Sequence, residues 1–174
     1  MSGVLPVSVD PVRLADQSAQ LRGFLPVARM QRLVELCGSD FGEAQVEFQF
    51  VKEAESGLRR LQGRIRVILD CRCERCLERF RLPVQTDVSL RIVSAGERGW
   101  ADESDVLEVD GPMALSEIVE NELILALPMV PMHPQDQCPA ATLLAKAGNE
   151  KPSPARQENP FGALAALRKK DADK

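Results

Sequence analysis

The stretch GRIRVILDCRCERCLERFRLPVQTDVSLRI, residues 63–92, decides the fold. Its first arm places Ile65, Val67, Leu69 and Cys71 at alternate positions, with Arg64, Arg66, Ile68, Asp70 and Arg72 on the other side. In the second arm, Phe80, Leu82, Val84, Thr86, Val88, Leu90 and Ile92 alternate with Arg79, Arg81, Pro83, Gln85, Asp87, Ser89 and Arg91. A period of two puts one side-chain set on each face of a strand. The two arms therefore read as a long hairpin with an apolar inner face and an arginine-rich outer face. With a simple register, Arg64, Arg66, Arg79 and Arg81 would lie near one another. Pro83 has no backbone donor, so it belongs at an edge or a bulge.

Working outward, QVEFQF (45–50) alternates Val46, Phe48 and Phe50 with polar residues and reads as another strand. Gly57 marks a turn. Val27, Met30, Leu33, Val34 and Cys37 recur at helical spacing after Pro26 and stop at Gly38, predicting a helix over about 26–37. VLEVDG (106–111) reads as a short strand and turn. Leu115, Ile118, Val119, Leu123, Ala126 and Leu127 form the stripe of a helix ended by Pro128 and Pro131. Ile124 and Leu125 widen that stripe and predict a well-buried C-terminal half. Glu117, Glu120 and Asn121 read as its exposed polar face. A last short helix is expected at 160–170. The pattern predicts an α+β fold: an antiparallel β-sheet with two packed helices in one domain, residues 1–150. An extended basic tail, 151–174, ends in the short helix.

Charge is unevenly placed in this 174-residue chain of net charge −4. Residues 58–81 hold eight arginines against Asp70, Glu74 and Glu78, a net of +5. Residues 97–122 hold nine acids against Arg98, a net of −8. Such a molecule can meet a polyanion with one face while repelling it from another. The planar guanidinium suits phosphate contacts, which makes Arg64, Arg66, Arg72, Arg75, Arg79 and Arg81 candidate nucleic-acid ligands. The competing reading is a solvated strand face paired with Asp70, Glu74 and Glu78.

The hairpin turn carries Cys73-x2-Cys76, and the segment after the long helix carries His133-x4-Cys138. Together they have the count and ligand types of a Cys3His zinc site. The alternative is ordinary buried or surface thiols. A redox pair fits less well, because reactive C-x2-C pairs usually open a helix. Cys37 and Cys71 read as core residues. Catalytic signals are weak. The chain has one histidine and no tyrosine, and it shows no Gly-rich phosphate loop, nucleophile elbow or H-E-x-x-H. A non-enzymatic role is expected. No segment has the ~20 apolar residues of a membrane helix. With no signal-like start and an odd cysteine count, a cytoplasmic location is expected.

Several of these features recur in order in a known family. They are Asp10-Pro11-Val12-Arg13, Leu69-Asp70 leading to Cys73-Glu74-Arg75-Cys76, and Glu122-Leu123-Ile124-Leu125-Ala126-Leu127-Pro128. His133 and Cys138 follow, then Asn159-Pro160-Phe161 with Leu164, Leu167 and Arg168-Lys169-Lys170. On these residues the chain resembles the YceD family of large ribosomal RNA subunit accumulation proteins over nearly its whole length. The resemblance implies a role in synthesis, processing or stability of 23S ribosomal RNA, with no known catalytic mechanism. Many relatives carry two cysteine pairs, whereas here the second region holds only His133 and Cys138. The expectation is a factor that binds precursor RNA or an assembling particle through the arginine hairpin and through Arg168, Lys169 and Lys170. The rival is an adaptor whose acidic segment recruits a basic ribosomal protein or a nuclease.

Overall fold

A computed structural model describes residues 5–96 and 105–141. The chain divides into two compact units, Met1–Cys138 and Pro139–Lys174. The expected helix at 160–170 and the basic residues Arg168, Lys169 and Lys170 lie outside the described residues.

The first unit is α+β. In chain order it contains β1 (Ser8–Val9), α1 (Pro11–Asp16), β2 (Gln20–Pro26), a 3-10 turn (Val27–Arg29), α2 (Gln31–Cys37), β3 (Glu43–Lys52), β4 (Arg59–Arg72), β5 (Arg79–Ser94), β6 (Val106–Val109), β7 (Met113–Ala114) and α3 (Leu115–Ala126). Five strands form one sheet in the order β2-β3-β4-β5-β6, and β1 pairs with β7 separately. The pairs from β2 to β5 are antiparallel. β6 departs from that pattern and runs parallel to β5, pairing only over Arg91–Ser94.

The hairpin of β4 and β5 is the spine. Its register runs from Arg59 opposite Ile92 to Arg72 opposite Arg79. The inner face carries Leu61, Ile65, Val67, Leu69 and Cys71 of β4 and Val84, Val88 and Ile92 of β5, all buried. They join Val46, Phe48 and Phe50 of β3 and the buried residues of the helices, Ala15, Leu33, Leu115, Ile118 and Leu123, in one core. Each fully buried side chain of this size contributes about 1.5–3 kcal/mol of transfer free energy. Pro83 lies opposite Ile68. Because β6 reaches only Arg91–Ser94, the other side of β5 at Pro83 is an open edge, where a missing donor costs no ladder bond.

Local chemistry fixes the connections. Asp10 caps α1, its side chain accepting from the Arg13 N–H at 3.0 Å, and Pro11 occupies the first turn. Gly38 ends α2 in the left-handed conformation at φ 66°, donating to the Val34 carbonyl.

Three expectations are corrected. Pro26 closes β2 instead of opening a helix, and α2 begins only at Gln31. The C-terminal half of α3 is not well buried, since Leu125 is 80% exposed. Glu120 is not on an exposed face. It is 7% exposed and anchors α3 to α2, accepting from the Leu33 N–H (3.1 Å) and from Arg32 Nη2 (2.9 Å) and Nε (3.1 Å).

Candidate nucleic-acid and metal-binding site at the hairpin tip

The register sorts the candidate arginines into two groups. Arg64 faces Asp87 and Arg66 faces Gln85, in the body of the sheet. Arg72 faces Arg79, and Arg81 faces Asp70, at the tip. Four residues separate Arg66 from Asp70, roughly 13 Å along the strand, so the four arginines expected to cluster do not.

The groups also differ in their partners. Arg64 pairs with Asp87 at 2.5 Å, which raises the pKa of its guanidinium further. Arg66 donates to Gln85 at 3.0 Å and lies 3.9 Å from Glu47. Arg79 bonds the Asp70 carboxylate at 3.0 Å and also the carbonyl of Gly38, so it caps the C-terminus of α2. These three already have partners within the chain.

At the tip, Arg72 donates only to the Leu77 carbonyl (3.1 Å). Arg75 touches the Met132 sulfur at 3.5 Å, and its buried Nη1 has no hydrogen-bond partner. Arg81 lies 5.6 Å over the ring of Phe41, which is 59% exposed. Among the described residues, none of these three has an acidic partner. The Phe41–Arg81 stack carried no sequence signal, because Phe41 lies outside any periodic run and forty residues before Arg81.

The same tip gathers the cysteines. One ligand atom from each of Cys73, Cys76, His133 and Cys138 lies within 4.8 Å of the others. Cys76 Sγ is 3.4 Å from His133 Nδ1. The two halves are stitched by a backbone bond from the Glu74 N–H to the Pro131 carbonyl at 2.9 Å. The Phe80 ring lies against the imidazole, with centroids 4.7 Å apart. Burial pushes the Cys73 thiol up, but the N–H groups of Cys76, His133 and Arg75 and the His133 side chain outweigh it and bring it down to about 5. Burial pushes Cys76 up, helped by Cys73 and Cys138. Three thiols and an imidazole form a donor set for a borderline-soft tetrahedral cation.

Cys37 and Cys71 are buried core residues, as expected, with their sulfurs 3.2 Å apart. Their hydrogen bond lowers the pKa of Cys37 and raises that of Cys71. Of the acidic segment, Asp105 and Glu122 line a cleft of about 530 Å3 between α3 and the β5–β6 junction, together with Asp87 and Leu125. Asp102 and Glu103 lie outside the described residues. Among the described residues no helix is long and apolar enough to cross a membrane.

The described residues thus form a mixed sheet with a long cysteine-tipped hairpin and three α-helices. Residues 61–168 match the family model described as large ribosomal RNA subunit accumulation protein YceD, and the chain belongs to that family. It is also 29% identical to the large ribosomal RNA subunit accumulation protein YceD of Haemophilus influenzae, over 95% of this chain and 97% of that protein. No solved structure matches it.

Proposed function

We propose that this chain supports accumulation of large-subunit ribosomal RNA as a non-catalytic factor that binds precursor RNA, or the particle assembling on it, through the tip of the β4–β5 hairpin. The observation that carries this reading is the set of arginines without acidic partners, Arg72, Arg75 and Arg81. A guanidinium already paired with a carboxylate gains little from a phosphate, whereas an unpaired one gains a charge-assisted bond. The exposed Phe41 ring adds an aromatic surface of the kind on which unpaired bases stack. The family description, large ribosomal RNA subunit accumulation, supports ribosomal RNA as the polyanion in this reading. The basic tail residues Arg168, Lys169 and Lys170 belong to the same reading as a second phosphate contact.

A titration of large-subunit ribosomal RNA fragments against the full chain over a salt series tests it. Each lost phosphate contact should lower the slope of log affinity against log salt by about 0.7–0.9. The triple variant Arg72→Ala, Arg75→Ala, Arg81→Ala should therefore weaken binding and flatten the slope. Substituting Arg64 and Arg66 should change it less. The adaptor reading draws on the acidic cleft beside the exposed Leu125. It predicts RNA binding unaffected by the tip variant, with a basic protein partner lost on substituting Asp105 and Glu122.

A further inference from the structure

We propose that Cys73, Cys76, His133 and Cys138 bind a single zinc ion that closes the hairpin turn onto the segment following α3. The inference is independent of what the tip arginines bind.

The dimensions fit. With Zn–S bonds of about 2.3 Å, neighbouring ligands in a tetrahedron stand about 3.7 Å apart. The four ligand atoms lie within 4.8 Å of one another, and the Cys76–His133 contact is already 3.4 Å. A closed set of four protein ligands leaves no position for water or substrate, which is the pattern of a structural site. Cys73 is fully buried and Cys138 is 3% exposed, while Cys76 and His133 are half-buried, so two of the four ligands are shielded from water.

The backbone is arranged for thiolates. The N–H groups of Arg75 and Cys76 point at the Cys73 sulfur, and that of Glu78 at Cys76. Such donors offset charge on metal-bound sulfur and orient it. The turn closes through Leu77 N–H to the Cys73 carbonyl (2.8 Å) and Cys73 N–H to the Glu78 carbonyl (2.9 Å). The residue after Cys76, Leu77, adopts φ 64°. A leucine in the left-handed region is a local cost that persists only where its surroundings impose it. Packing does not impose it here, because Leu77 is 56% exposed. The turn itself does: the β3–β4 turn closes with the same two bonds, Gly57 N–H to the Glu53 carbonyl and Glu53 N–H to the Leu58 carbonyl (both 2.9 Å), and holds Gly57 at φ 71° without any cysteine.

Ligand chemistry selects the metal. Three thiolates and an imidazole favour zinc over the hard cations magnesium and calcium. With zinc bound, the four ligands and the ion carry a net charge of −1. By contrast, Cys37 and Cys71 form a pair, not part of any group of three or more metal-ligating side chains among the described residues. The ion would also fix Cys138, the last residue of the first compact unit.

The test is metal analysis of the full chain purified without chelator, combined with cobalt(II) substitution of the metal-free protein. The expected result is stoichiometric zinc, lost in Cys138→Ser and retained in His133→Cys and Cys37→Ser. Cobalt should give the visible bands of a tetrahedral thiolate site. If Cys138→Ser does not fold, the retention by His133→Cys and the cobalt spectrum of the natural sequence still decide the matter. Zinc well below one per chain, with thermal stability unchanged by chelator, would overturn the proposal. So would a Cys73–Cys76 disulfide in protein kept under reducing conditions.

Discussion

Glu120 of α3 places its Oε1 3.1 Å from the backbone N–H of Leu33 in α2, while its Oε2 holds Arg32 at 2.9 Å. A carboxylate on the inner side of one helix thus satisfies the first turn of another, which has no side-chain cap of its own. Replacing Glu120 with Ala leaves a buried N–H unpaired and should cost about 2–4 kcal/mol. Glu120→Gln keeps an acceptor for Leu33 and should cost less. Urea denaturation of the two variants checks the order.

Gly63 lies in β4 opposite Phe48. A Cβ there would stand 2.1 Å from the Glu47 carbonyl oxygen and 2.8 Å from the Phe48 ring. Since the obstacle is backbone, it cannot swing away. Gly63→Ala should destabilise by about 2–4 kcal/mol, visible as a lower denaturation midpoint.

Glu122 has a raised pKa, first through burial and then through Asp105. A carboxyl that binds its proton more tightly folded than unfolded costs stability when ionised. The molecule should therefore lose stability as pH rises from about 4.5 through the raised value. Glu122→Gln should stabilise the chain at neutral pH and have no such benefit in acid. Thermal melts across that range decide it.

Leu77→Gly removes the Cβ from a left-handed position. Because Leu77 is exposed, little burial is lost. The variant should be stabilised by about 1 kcal/mol, measured by denaturation in metal-replete buffer. A destabilisation would mean that the leucine side chain contributes packing at the tip.

The β4–β5 hairpin was legible because its alternation is unbroken on one face of β5 and broken only by Ile68 on β4. The tip cluster was legible as a set of ligand types, and the structure brings all four together. β2 was not, because its inward positions include Gly23 while Phe24 points outward, inverting the expected pattern. β6 spans four residues, too few to reveal that it runs parallel to its neighbour. Glu120 looked exposed because its burial depends on Arg32 and Leu33, nearly ninety residues away. Leu125 looked buried because it continues an apolar run, although α3 leaves that side open. The arginines were visible as a count, but only the register shows which of them acids have already taken.

The central claim is direct contact between ribosomal RNA and the hairpin tip. Ultraviolet crosslinking of a tagged chain in living cells, with sequencing of the attached RNA, tests it most directly. The account predicts reads clustered on the large-subunit precursor and lost in the variant lacking Arg72, Arg75 and Arg81 side chains. An absence of crosslinked precursor while the protein is still needed for large-subunit RNA would contradict it, as would a full signal from that variant.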